Sequence, residues 1–218
     1  MSLEGMKWSG SKIRSIQASM TEEEQFLDYV FPILRYHSRW SELTWEDVKY
    51  MFDSPKVSHN GYYMRVDVKP AENVPEGKVL ADYNFGENAY FYLEKITELC
   101  KENDIQLILI KAPSLYPYWY DEWEAQMEEY AVEHDLLYIN FLELQEETGL
   151  DFQTDTYDAG LHLNLSGAEK ITRYLGNILL EQEKIEDRRK EEHLSNLWLE
   201  KQRLYEQERD EQYAALYE

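Results

Sequence analysis

The sequence predicts an α/β fold: a three-layer parallel sheet with flanking helices, followed by a charged helical extension. Three observations carry that prediction. Strand-length and helix-length patterns alternate between residues 79 and 141, Ile105-Gln-Leu-Ile-Leu-Ile110 is a nearly unbroken apolar run, and the composition turns to Glu, Arg, Lys and Gln after Glu181. Alternating strands and helices build a parallel sheet with right-handed crossovers, and an apolar run without alternation suits a strand covered on both faces. The chain accordingly divides into a helical and loop segment over 1–78, an α/β core over 79–182 and an acidic helical extension over 183–218.

Taken in order, Thr21 and Glu24 have capping-box spacing, and Phe26, Val30, Ile33 and Leu34 recur at helical spacing, predicting a helix to about residue 36 with a kink at Pro32. Thr44 and Asp47, ahead of Val48, Met51 and Phe52, predict a second short helix. Residues 54–77 are rich in Pro, Gly, Asn and Asp and read as a surface excursion, with one strand at 62–68 where apolar and polar residues partly alternate. A strand at 79–83 leads into a helix with Ala89, Leu93, Ile96 and Cys100 on one face. The strand at 105–110 follows, then a helix over 121–134 with Trp123, Met127, Tyr130 and Ala131 on one side, and a strand at 136–141. After a short helix and a turn-rich loop over 149–164, Ser166 and Glu169 predict a capped helix that buries Ala168, Ile171, Leu175 and Ile178. Beyond Glu181, sparse apolar residues such as Leu194, Leu197, Trp198, Leu204 and Tyr205 form a stripe too short for a coiled-coil seam. That long charged helix, or helix pair, is expected either to dock back on the domain or to fray in solvent, and it is the place where a protein partner would engage.

At 218 residues, 43% hydrophobic and 14% aromatic, the chain is long enough to bury one core with an appendage. Its formal net charge of -22 repels phosphate backbones and anionic lipid, which argues against nucleic acid and membrane surfaces as partners. The single cysteine, Cys100, allows no internal disulfide. No apolar run reaches the roughly 18 residues of a membrane span. His59, His134 and His193 are scattered without metal-ligand spacing, so neither a metal nor a cofactor is expected.

The chemistry converges on Asp158-Ala-Gly-Leu-His162-Leu-Asn164-Leu-Ser166-Gly167-Ala168. The loop lies at the carboxyl edge of the predicted sheet, where open α/β folds bind ligands. An imidazole there can take a proton from a hydroxyl nucleophile and return it to a leaving group, provided a carboxylate orients its other nitrogen. Asp158 and Asp155 are the two carboxylates in reach. Asn164 reads as a turn-former and helix-start residue, and as a weaker ligand-binding candidate. Lys111, Tyr116 and Trp119, just after the central strand, are candidate ligand contacts, because aromatic faces at the active edge stack on sugar rings. The alternative for these aromatics is packing of the next helix onto the sheet. The basic and aromatic run 35–40 suits either an anion-binding or sugar-binding patch or a helix C-terminus.

The run from Asp158 through HLNLSGA into a helix resembles the last block of SGNH (GDSL-type) hydrolases, in which an Asp and a His complete a Ser-His-Asp triad. Leu107-Ile-Leu-Ile-Lys-Ala-Pro113 is similar to the central strand and loop of bacterial relatives of the DltD-like and AlgX-like kind. The resemblance covers about residues 79–180. It implies a flavodoxin-like core, ester hydrolysis or O-acyl transfer on a cell-surface carbohydrate, and an extracytoplasmic, membrane-anchored protein. Two departures stand beside it. The family places its Asp three residues before the His, whereas Ala159 occupies that position here and Asp158 lies four before. No Gly-Asp-Ser segment and no Gly-x-Asn-Asp segment is present; Ser9, Ser11 and Ser114 lack the setting of a nucleophile turn. The expectation is a C-terminal portion of a longer hydrolase, inactive without its serine, with a non-catalytic glycan-binding or protein-binding module as the rival reading.

Overall fold

A computed structural model describes residues 6–20, 24–30, 44–45, 59–181 and 186–216. By internal packing the chain divides into two units, Met1–Val57 and Ser58–Glu218. The first unit contains α1 (Gly10–Ser19) and α2 (Phe26–Val30). Helix α1 begins where the Ser9 hydroxyl accepts the Lys12 amide N–H, and it buries Ile16 and the stem of Lys12, whose ammonium lies 4.6 Å from the Trp8 ring centroid. Neither Ile13 nor Ile16 sets up a long apolar repeat, which is why the periodicity alone names no helix there. The helix expected from Thr21 is described at 26–30, and that expected from Thr44 is described only at Trp45, which is helical; the rest of both and the 35–40 run lie outside the described residues.

The second unit carries a 3-10 turn at His59–Gly61, α3 (Glu87–Glu102), β1 (Ile108–Lys111), α4 (Asp121–Glu133), β2 (Leu137–Asn140), α5 (Gln145–Thr148), α6 (Leu165–Leu180) and α7 (Glu192–Ala215). Strands β1 and β2 pair in parallel, Ile108 opposite Leu137 and Lys111 opposite Asn140, with α4 as the crossover. The chain is thus a mixed α/β protein, and its described residues contain a sheet of two parallel strands. Leu109 of β1 packs on Tyr130 and Ala131 of α4, and Leu93, Met127 and Tyr138 close that cluster. A second cluster joins Met64, Val66 and Leu165, with Tyr62 and Tyr205 packed against it. Helix α7 therefore docks on the domain: Tyr205 donates to Glu169, Gln212 donates to the Met64 carbonyl, and Glu208 pairs with His59 at 2.8 Å. No helix among the described residues is long and apolar enough to cross a membrane.

Several elements differ from the sequence expectation. Residues 79–83 form no strand, and Val79 is 94% exposed. Tyrosine hydroxyls replace a neighbouring strand there: Tyr120 bonds both the N–H and the carbonyl of Lys78, and Tyr83 accepts the Leu80 N–H. Residues 63–68 form no strand, and Tyr62 takes part in a bridge only. The apolar run expected to be sheathed on both faces enters the sheet only at Ile108, and Ile110 remains 46% exposed. In α3 the inward face runs through Tyr90, Leu93 and Thr97, while Ala89 and Ile96 are exposed. The Thr97 hydroxyl meets the Tyr130 hydroxyl at 2.8 Å, and this polar contact turns the helix away from its most apolar stripe. At α6 the capping residue is Asn164, whose side chain accepts the Gly167 N–H, rather than Ser166.

Candidate active site

The loop between α5 and α6 is held by residues 65–71. The Lys69 N–H donates to the Thr156 carbonyl, Ala159 donates to the Lys69 carbonyl, Ala71 donates to Phe152, and Leu165 donates to Arg65. Inside the loop, Thr156 is fully buried. Its hydroxyl donates to the His162 carbonyl at 2.8 Å and accepts the Gly160 N–H at 2.8 Å, and its backbone bridges Leu163. One hydroxyl thereby closes the turn that presents Asp158 and His162.

Asp158 grips His162 at two points. One carboxylate oxygen accepts the His162 backbone N–H at 2.7 Å, and the other lies 2.5 Å from Nδ1. An acceptor-only carboxylate on Nδ1 places the ring proton there and leaves Nε2 with its lone pair. The imidazole is exposed, and among the described residues no group hydrogen-bonds Nε2. Burial works to raise the Asp158 carboxyl, but the hydrogen bonds from the His162 ring and backbone outweigh it and hold the group below the usual carboxylate range. Tyr157 lies parallel to the imidazole, with centroids 5.8 Å apart and planes 9° apart. Behind it the Arg65 guanidinium sits 4.8 Å from the Tyr157 ring, itself fixed by a two-pronged pair with Asp67 at 2.6 and 2.7 Å. Nothing in the spacing of Arg65 and Asp67 marks them from sequence, because they lie nearly a hundred residues upstream.

Asp155 stands elsewhere. It is wholly buried and accepts from the Asp151 N–H, the Ser166 hydroxyl and the Lys170 ammonium, at 2.8, 2.8 and 2.6 Å. Burial pushes this carboxyl up, and those three donors more than reverse the shift, holding it low. Asp155 therefore pins the start of α6 to the loop, while Asp158 carries the ring contact. Asn164 is buried, with its amide donating to the Asp67 and Thr154 carbonyls, so its side chain is engaged within the fold.

The four-residue spacing from Asp158 to His162 is absorbed by two left-handed residues, Ala159 at φ +65° and Gly160 at φ +101°. A Cβ on Gly160 would fall 2.7 Å from Leu115 Cδ1, and the Gly160 carbonyl accepts the Leu115 N–H. The histidine loop is thus bonded directly to the loop after β1.

That second loop places the other candidates. Lys111 donates to the Ala112 and Ser114 carbonyls, and its ammonium lies 5.2 Å from the Trp119 ring. Trp119 donates from Nε1 to Glu124, and Tyr118, Tyr120, Trp119 and Trp123 pack on one another with centroids 4.7–5.6 Å apart. The Ser114 hydroxyl donates to the Tyr116 carbonyl and accepts the Tyr116 N–H. Ser9 caps α1 and Ser11 accepts from Arg14. The Ser114 hydroxyl makes no hydrogen bond to His162. Among the described residues no cluster of three or more His, Cys, Asp or Glu side chains is arranged to hold a metal ion. Compared with protein-family models, curated proteins and solved structures, the chain finds no match.

Proposed function

We propose that residues 155–170 form the histidine half of an SGNH-type ester hydrolase or O-acyl-transfer site, with His162 as general base and Asp158 as its orienting carboxylate. The observation that carries this reading is the double hold of Asp158 on the His162 backbone and Nδ1, which leaves Nε2 unoccupied and exposed. In the proposed reaction Nε2 takes the proton of a serine hydroxyl as that oxygen attacks the ester carbonyl. The same proton then passes to the departing alkoxide. Water hydrolyses the resulting acyl-serine, or a sugar hydroxyl takes the acyl group. The serine must reach Nε2 from outside the described residues. On this reading the β-α-β unit belongs to a wider three-layer, flavodoxin-like sheet, and the substrate is an acyl ester of a cell-surface carbohydrate handled outside the cytoplasm.

The test does not require the serine. A neutral imidazole attacks p-nitrophenyl acetate directly: the Nε2–acyl bond forms, p-nitrophenolate leaves, and water regenerates the ring. Hydrolysis by the intact chain is expected to fall to the level of free surface histidines in His162→Ala. Hydrolysis unchanged in that variant overturns the assignment.

The rival reading, a non-catalytic glycan-binding or protein-binding module, draws on the aromatic wall around Trp119. It predicts calorimetric binding of a surface polysaccharide that weakens in Trp119→Ala and is indifferent to His162→Ala.

A further inference from the structure

Between α3, β1 and α4 lies an open cavity of about 370 Å³, lined by Phe85, Tyr90, Leu93, Leu109, Met127 and Tyr138 and, at one side, by Lys111 and Trp119. Its size falls in the range of small-ligand sites, roughly 300–1,000 Å³. The consecutive residues Leu109, Ile110 and Lys111 all line it. Successive side chains of a strand point to opposite faces, so the cavity covers the face that Leu109 shares with Tyr138 of β2 and also reaches round β1 to Ile110.

Lys111 is the one cation lining this cavity. Its ammonium donates to two backbone carbonyls, and among the described residues no carboxylate stands within 4.0 Å of it. A half-buried, unpaired ammonium is unusual in a chain that carries 44 acidic against 22 basic residues. Glu124, the nearest acidic influence, has one carboxylate oxygen occupied by Trp119 Nε1, the Tyr138 hydroxyl and the Asn140 amide. Burial lowers the ammonium's proton affinity, and the charge of Glu124 works against that shift.

We propose that this cavity binds a carboxylic acid with an apolar tail, the tail lying against Phe85, Leu93, Leu109 and Met127 and the carboxylate resting on Lys111 Nζ. A neutral alcohol of the same tail fills the same space without answering the lysine, and an anion without a tail leaves the apolar lining wet. Only the combination satisfies both walls. The proposal rests on the cavity and not on the His162 reading, so either can fail alone.

Calorimetric titration of the intact chain with butyrate, hexanoate, octanoate and 1-octanol tests it. Affinity is expected to rise about fourfold per added methylene, and octanoate is expected to bind at least tenfold more tightly than octanol. Lys111→Met should remove that tenfold preference while leaving octanol binding unchanged, and Met127→Trp, which fills the cavity, should weaken both ligands. Equal binding of octanoate and octanol by the wild type overturns the proposal without recourse to any variant. So does a lack of saturable octanoate binding, or octanoate affinity unaltered in Lys111→Met.

Discussion

Asp158 and His162 are joined through both backbone and ring, at 2.7 Å to the amide N–H and 2.5 Å to Nδ1, so a single carboxylate sets the turn and the imidazole tautomer together. The coupling means that the two roles separate under substitution.

In Asp158→Asn the amide oxygen keeps the His162 N–H, and the NH2 group then faces Nδ1. A donor against Nδ1 drives the ring proton to Nε2 and removes the lone pair the chemistry needs. His162-dependent hydrolysis of p-nitrophenyl acetate is expected to fall at least tenfold while the far-ultraviolet circular dichroism stays unchanged. Retention of the full rate would show that Asp158 serves only the turn.

Asp155 is predicted to matter for stability rather than rate. Asp155→Asn leaves the Lys170 ammonium without its partner, and losing one member of a buried pair costs several kcal/mol; because Lys170 keeps some contact with water, a loss of about 2 kcal/mol is expected. The folded pKa of Asp155 lies below its unfolded value. Its stabilisation is therefore complete above about pH 4 and disappears as pH falls through the depressed folded value. Urea melts should show a wild-type-minus-variant difference that is flat between neutrality and about pH 5 and shrinks below about pH 4. A difference that grows on acidification contradicts the assignment.

Helix α7 is predicted to be part of the domain. Tyr205 packs beside Tyr62 and 5.4 Å from His59, against the Met64, Val66 and Leu165 cluster. Tyr205→Ala should lower unfolding free energy by about 2 kcal/mol, less than a fully buried aromatic because the ring is only partly covered. Leu204→Ala, on the exposed side of the same helix, should change it by less than about 0.5 kcal/mol. Equal effects from the two positions would mean that α7 does not dock as described.

The histidine loop is legible in the sequence because its signal is local: an acid, a histidine and a helix start within eleven residues. The β1–α4–β2 unit is legible for the same reason, through periodicity. What escapes is non-local. The segment 64–71 shows only partial alternation, since its backbone bonds run to an irregular loop, so its part in holding the site leaves no pattern. The choice between Asp155 and Asp158 turns on positive φ at Ala159, a residue that rarely adopts it, so spacing alone leaves both open. The missing strand at 79–83 is decided by hydroxyls of Tyr83 and of Tyr120, the latter some forty residues away.

Two glycines of α6 test whether that helix start is as tightly fitted as Asp155 implies. A Cβ on Gly167 would stand 2.5 Å from the Asp155 carbonyl oxygen, a backbone atom that cannot swing aside. At Gly176 a Cβ would meet nothing within 4 Å. Gly176 lies in the helix interior, where propensity favours alanine by about 1 kcal/mol, and Gly167 lies in the first turn, where that preference is weaker. At Gly176 that gain stands alone, and Gly176→Ala should raise stability by about 0.5–1 kcal/mol. At Gly167 overpacking outweighs it, and Gly167→Ala should lower stability by about 1–2 kcal/mol. Because the displaced atom belongs to Asp155, Gly167→Ala should also blunt the low-pH dependence assigned to that carboxylate. Equal and positive shifts at both positions would place the helix start farther from the loop than the Asp155 contacts require.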